Sequence, residues 1–184
     1  MKRLMDLLLS IVALTVLWPV LLLAALAIRL DGPGPVLFLQ TRVGRGGQQF
    51  SIYKFRSMIA NAEALGGYST QSGDARITRV GRWLRKTSID ELPQIFNVLL
   101  GHMSWVGPRP DVPAQRSNYT EHEWQVRHQV RPGITGLAQA TLRSNATPEQ
   151  RKSLDLDYAA NASLLFDFKI LLLTVKQVIS KGGN

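Results

Sequence analysis

The sequence contains no cysteine, which excludes a disulfide framework, a thiolate metal site and a thiol nucleophile. Chemistry must therefore come from carboxylates, histidine, hydroxyls or a bound metal. Histidine is scarce as well, and His102, His122 and His128 lack the H-x-x-x-H spacing that sets two imidazoles on one helix face. No P-loop and no G-x-G-x-x-G fingerprint is present, which argues against ordinary nucleotide hydrolases and dinucleotide-binding folds. Acids are few, 13 Asp plus Glu against 22 Lys plus Arg, and Arg outnumbers Lys 15 to 7. The excess is local, since Arg42 to Lys86 holds nine basic residues and only two acids, Glu63 and Asp74. Guanidinium matches phosphate bidentately, so this stretch is suited to a polyanion. At 184 residues and 45% hydrophobic, the chain suits one ordered unit with an appendage.

The appendage is N-terminal. Leu7 to Ile28 is 22 residues without a charge, flanked by Lys2 and Arg3 before it and Arg29 after it. It exceeds the apolar stretch of a signal peptide, and at 1.5 Å per residue it reaches about 33 Å, enough to cross a bilayer core if straight. Pro19 sits near its middle and predicts a kink close to Trp18, because proline removes a helical hydrogen bond and clashes with the preceding turn. Basic residues favour the cytoplasmic side, and here both flanks are basic. A helix that enters the membrane, bends and returns satisfies both features. A simple kinked spanning helix is the alternative that stays open on these grounds, since proline is tolerated in many spanning helices.

The breaker cluster Asp31-Gly-Pro-Gly-Pro35 ends the helix and hands the chain to a second part. Val36 to Gln40 and Phe50 to Phe55 read as short strands around Gly44-Arg45-Gly46-Gly47, giving at most a small hairpin. Helices are expected over Ile59 to Leu65, Arg79 to Lys86, Leu92 to Leu100, and from the cap at Thr147-Pro-Glu-Gln150 to about Asn161. Arg79, Arg82 and Arg85 fall at three-residue spacing and form a basic stripe. Ser163 to Ser180 is apolar but broken by Asp167, Lys169 and Lys176, the pattern of a packed or interfacial helix. The predicted architecture is mainly α with a small β-hairpin, divided into a membrane helix over 1–30 and a catalytic domain with interfacial helices over 31–184.

Two adjacent acids, Asp90 and Glu91, are the sharpest chemical feature. Consecutive side chains on a regular helix diverge by about 100°, so such a pair addresses one site only at a helix start, where Pro93 helps to place it. Ser88 and Glu91 also spell an S-x-x-E capping box, a structural reading that competes with the chemical one. Arg82, Arg85 and Lys86 lie immediately upstream and could hold a phosphoanion against a carboxylate that would otherwise repel it. Val106-Gly-Pro-Arg-Pro110 and Arg131-Pro-Gly-Ile-Thr-Gly136 each fix an Arg beside proline and glycine, and Lys54-Phe-Arg56 adds two more cations. Each alone also reads as a turn with an exposed cation.

Taken in order, Lys54-Phe-Arg-Ser-Met58, Asp90-Glu-Leu-Pro-Gln94 with Asn97, Met103-Ser104 with Val106 to Pro110, and Arg131 to Gly136 with Gln139 resemble the monotopic phosphoglycosyl transferases, a family of bacterial sugar transferases. The likeness covers nearly the whole chain and is to the small members. It implies an N-terminal helix that re-enters the cytoplasmic face of the bacterial inner membrane. It also implies transfer of a phospho-sugar from a UDP-sugar to polyprenyl phosphate, such as undecaprenyl phosphate, with release of UMP. By position Asp90 matches the family's nucleophile, and Glu91 the acid that helps to hold Mg²⁺. Arg85 and Arg109 match phosphate-binding positions, with Arg42, Lys54, Arg56, Arg131 and Arg143 as further candidates. Two positions depart from the family's usual pattern: His102 stands where many relatives carry an acid or Lys, and Trp18 where some carry Ser. The partners implied are the two substrates, membrane lipids and downstream glycosyltransferases, and no nucleic acid. The competing class is a membrane-anchored basic module that binds nucleic acid or anionic lipid through Arg42 to Lys86 without catalysis.

Overall fold

The computed structural model describes residues 1–66, 73–142 and 147–181, and they form a mostly helical body with two small sheets. Helix α1 (Lys2–Asp31) is 30 residues long and stays helical through Pro19. Leu8, Ile11, Val12, Val16, Trp18, Leu22, Leu23 and Leu26 are all exposed along it, and only Asp6, Ser10, Ala24 and Ile28 are buried. A helix that is apolar all round and largely uncovered needs a nonaqueous environment. In length and composition α1 can cross a membrane, with a mean hydropathy of 2.7 in its most apolar stretch.

Both ends of α1 are fastened to the same body. At its start, Lys2 Nζ pairs with the buried Asp167 at 2.5 Å and donates to the Val106 carbonyl at 3.1 Å, while Arg3 donates to the carbonyls of Val98 and Leu99. Asp6 Oδ1 accepts from the Ser104 hydroxyl at 2.9 Å and the Trp105 backbone N–H at 3.1 Å, so the charge buried in this first stretch is partnered. Near its end, Ala24 and Ile28 pack against Phe55 and Leu84. Arg56 donates to the carbonyls of Ile28, Gly32 and Pro33, satisfying groups that a helix terminus leaves without partners. None of the residues from 11 to 20 is buried, so the middle of the helix carries the uncovered apolar surface.

Strands β1 (Leu37–Val43) and β2 (Gln49–Phe55) pair antiparallel from Leu37↔Phe55 to Val43↔Gln49. The hairpin exceeds the expected strands because the turn is compressed into Arg45–Gly47, where Gly46 and Gly47 take positive φ. Beyond it come α2 (Ala62–Gly66), α3 (Arg79–Lys86) and α4 (Gln94–Leu100). A second sheet corrects the single-hairpin expectation: β3 (Ser104–Val106) runs parallel to β4 (Gly133–Thr135), so the two segments that pair Arg with proline and glycine, read as turns, lie side by side. Glycine is needed there, since a Cβ on Gly107 would stand 2.2 Å from the Arg131 carbonyl oxygen. Three-residue strands carry no periodicity, which is why the pairing is invisible in sequence. Helices α5 (Glu121–Arg127) and α6 (Leu137–Thr141) were also unpredicted, although Thr120 and Glu123 form a capping box. The chain closes with α7 (Pro148–Asn161), capped by Thr147 as expected, and α8 (Leu164–Lys181). Leu165, Phe168, Leu172 and Val175 form an exposed apolar stripe at helical spacing on α8, opposite the buried Asp167 and Ile170.

Candidate active site

The site forms where α3, the start of α4, β2 and the loop after β3 meet. Helix α3 begins at Thr78, whose hydroxyl accepts from the Gly81 N–H at 2.9 Å, and it ends at Lys86. Ser88 then turns the chain in the left-handed conformation at φ 58°, and Ile89–Glu91 make one 3-10 turn before α4. The capping-box reading does not hold, because Ser88 makes no side-chain cap bond and the Glu91 carboxylate turns elsewhere. Asn97 clips α4 to β2: its Nδ2 donates to the Ser51 carbonyl and its Oδ1 accepts from the Tyr53 N–H, both at 2.8 Å. That clip sets Lys54, the next residue on β2, opposite Glu91. Asn97 was legible as part of a motif, but its positioning role was not.

Glu91 is pinned. Its Oε1 accepts from Lys54 Nζ at 2.8 Å and from Arg109 at 2.5 Å, and its Oε2 accepts from the other arm of the Arg109 fork at 3.3 Å. Burial alone would raise its pKa, but the charges of Arg109 and Lys54 outweigh it and hold the carboxyl well below the usual range. Asp90 is 8% exposed, and its carboxylate accepts no hydrogen bond from the described residues. Burial, then the charge of Glu91, push its pKa up to about 6, while Lys54, Arg85 and Arg109 pull the other way. Burial and the charge of Arg109 push Lys54 down. Adjacent carboxyls driven apart in this way take different roles. One is a permanent anion organising two cations, and the other is an unrestrained carboxylate, ionised near neutral pH and able to attack an electrophile.

The seven basic candidates separate. Lys54 and Arg109 reach the dyad directly, and the charge of half-buried Arg85 acts on Asp90, whereas Arg79 and Arg82 of the stripe are exposed. Arg42 braces the loop after β3 by donating to the Pro110 carbonyl at 2.9 Å. Arg56 lies on the end of α1, as described, and not on the dyad. Arg131 donates to the Gly101 carbonyl at 2.8 Å, at the other end of α4, where it lines a cavity of about 380 Å³ with Arg45, Phe50 and His102. Arg143 lies outside the described residues.

Among the described residues no three acidic or His side chains cluster as a metal cage. The donor set nevertheless fits Mg²⁺, which binds through one or two carboxylates and completes its shell with water and substrate phosphates. Glu91 would supply the carboxylate, since its Oε2 carries only one long contact.

A buried carboxylate beside a pinned acid, with cations converging on the pair, is an arrangement suited to an anionic group, and the body that carries it has an apolar helix long enough to anchor in a membrane. The model of the bacterial sugar transferase family matches residues 1–181, and the chain belongs to that family. It is 43% identical over 190 residues to the UDP-N-acetylgalactosamine-undecaprenyl-phosphate N-acetylgalactosaminephosphotransferase of Aeromonas hydrophila, covering 99% of this chain and 44% of that protein. It is 46% identical over 186 residues to the UDP-glucose:undecaprenyl-phosphate glucose-1-phosphate transferase of Caulobacter vibrioides, covering 97% of this chain and 70% of that one. It is 45% identical to the exopolysaccharide production protein PSS of Rhizobium leguminosarum bv. phaseoli, covering 99% of this chain and 96% of the relative. The chain thus spans less than half of some relatives and nearly all of others.

Proposed function

We propose that this protein transfers a phospho-sugar from a UDP-sugar to undecaprenyl phosphate, releasing UMP, through a covalent intermediate on Asp90. The observation that carries the reading is the divergence of the dyad: Glu91 held ionised between Lys54 and Arg109, beside an Asp90 that is buried and unrestrained. An Asp90 carboxylate oxygen attacks the sugar-linked phosphorus, and the bond from that phosphorus to the bridging oxygen breaks, so UMP leaves with the electron pair. A phosphate oxygen of the lipid then attacks the same phosphorus, Asp90 departs as carboxylate, and a polyprenyl diphosphosugar forms. Arg85, Arg109 and Lys54 draw the phosphoryl oxygens and offset the charge that develops on them. When bound at Glu91, Mg²⁺ would neutralise the diphosphate and aid departure of UMP. Names of relatives support these substrates, since two of them are undecaprenyl-phosphate transferases acting from UDP-sugars.

The membrane arrangement we infer is re-entrant. The fastening of both ends of α1 to one folded body supports it, because both ends would then face one side of the bilayer while the uncovered middle enters lipid. Lys2, Arg3 and Arg29 favour the cytoplasmic face of the inner membrane. The apolar stripe of α8 suits the interface, where a lipid phosphate presents its head group while its tail stays in the bilayer. The product would be a substrate for glycosyltransferases acting afterwards. A basic module without catalysis would have no use for cations drawn inward onto Glu91. Incubating the purified protein with a panel of UDP-sugars, Mg²⁺ and undecaprenyl phosphate tests the reading. UMP release and, without acceptor, a phospho-sugar adduct on Asp90 are expected. Release of UDP, or full activity in Asp90→Asn, overturns it.

A further inference from the structure

The loop that carries Arg109 is held at every carbonyl along four consecutive residues. The Pro108 carbonyl accepts from the Gly133 N–H at 2.9 Å, that of Pro110 from Arg42 at 2.9 Å, and that of Asp111 from the Val43 N–H at 2.9 Å. The carbonyl of Arg109 itself accepts at 2.7 Å from Arg127, the last residue of α5, whose side chain is only 2% exposed. The same terminal nitrogen donates to Asp155 Oδ2 on α7 at 2.8 Å. The other lies 2.6 Å from Asp111 Oδ2, though Oδ2 has no hydrogen-bond partner, so this contact is one of charge and not a directed bond. Arg127 is therefore fixed from two sides and touches the backbone of Arg109, whose guanidinium forks onto Glu91.

A buried charge cluster of this kind is a poor stabiliser, because desolvation offsets the attraction and an apolar replacement is often as stable. What such a cluster does provide is a fixed position. Pro108 and Pro110 fix φ at their own positions on either side of Arg109, and Pro110 also biases Arg109 toward an extended conformation; the carbonyl of the peptide between Arg109 and Pro110 is the group that Arg127 grips. An error of about 1 Å at a catalytic group can lower a rate about 100-fold.

We propose that Arg127 is a positioning residue for the transfer reaction, setting through the Arg109 carbonyl the place from which the Arg109 guanidinium meets Glu91 and the transferred phosphoryl group. The proposal rests on the functional reading above. A purely structural Arg127, tying α5 to α7, would make a different set of predictions.

The test is a double-mutant cycle on UMP release. Arg127→Lys keeps the charge and loses the planar fork. In the wild-type background it should lower kcat about 10- to 100-fold while KM for undecaprenyl phosphate stays within about twofold. In an Arg109→Lys background the same substitution should lower kcat by less than about threefold, because the fork it positions is already absent. Thermal unfolding of each purified variant reports folding, and Asp155→Asn carries the same cycle if Arg127→Lys does not fold. Equal losses in both backgrounds, or wild-type kcat in a folded Arg127→Lys protein, overturn the positioning role. A wild-type protein that releases no UMP from any UDP-sugar instead sinks the functional reading, and the positioning role with it.

Discussion

Asp90 should weaken the fold that holds it, and its replacement by asparagine should make the protein more stable. The carboxyl is buried beside Glu91, and its pKa rises from 3.8 to about 6 on folding. An acid shifted upward by that amount lowers folding stability by about 3 kcal/mol once it is ionised in both states. Below about pH 4 the group is protonated whether folded or not, and the penalty is absent. Between about pH 4 and pH 6 only the unfolded chain ionises it, so stability falls as pH rises, and above about pH 7 the loss is complete. An asparagine side chain at this position would have nearly the same shape and no charge to bury, so at pH 7.5 Asp90→Asn should gain up to about 3 kcal/mol. That gain corresponds to a melting temperature about 6 to 12 °C higher for a chain of this size. Differential scanning fluorimetry of both proteins in detergent, without Mg²⁺, from about pH 4.5 to 8 measures the difference. Adding Mg²⁺ should narrow it, because a divalent cation stabilises the charged carboxylate. A helix-start role for Asp90 predicts the opposite sign, a loss of about 0.3 to 1 kcal/mol on neutralisation. A variant that melts at or below wild type at about pH 7.5, or a difference that does not change with pH, refutes the reasoning.

Further expectations concern the surroundings of the dyad and the membrane. Lys54→Met removes one of the two cations on Glu91, and under the proposed reaction UMP release should fall about 100-fold with folding retained, measured by kinetics and melting together. Ser88→Ala should leave stability within about 0.5 kcal/mol of wild type, since the Ser88 side chain caps nothing; a loss of about 1 kcal/mol in chemical denaturation would restore the capping reading. Cysteines placed near Lys2 and near Gly32 should react alike with an impermeant reagent in spheroplasts, and opposite sidedness would establish a spanning helix. A short, soluble prenyl phosphate should be a poor acceptor in nanodiscs, and specificity constants equal to those of the long lipid would contradict an interfacial site.

The elements written in local chemistry were legible from the sequence. The uncharged run of α1, the helix Arg79–Lys86 and the Thr147 cap with its following helix depend on composition, spacing and neighbours within a turn, and they stand where expected. The order of motifs was likewise enough to point to the family, because identity of residues in sequence needs no fold to be read.

What the sequence left open was decided by contacts between distant segments. The S-x-x-E pattern by itself reads as a helix cap, and only the arrival of Lys54, 37 positions before Glu91, and Arg109, 18 after it, shows that the Glu91 carboxylate is turned away from that use. Lys54-Phe55-Arg56 reads as one basic patch, yet consecutive residues along this strand and its end part company: Lys54 goes to Glu91, Phe55 to the core and Arg56 to α1. Arg127 and Asp155 gave no sign of lying behind Arg109, because a buried ion pair between helices has no local signature. Composition gave α1 the length and apolarity to enter a membrane, but the fastening of both its ends to one body belongs to the tertiary structure, where Lys2 meets Asp167 across 165 positions of chain and Arg56 meets Ile28 across 28.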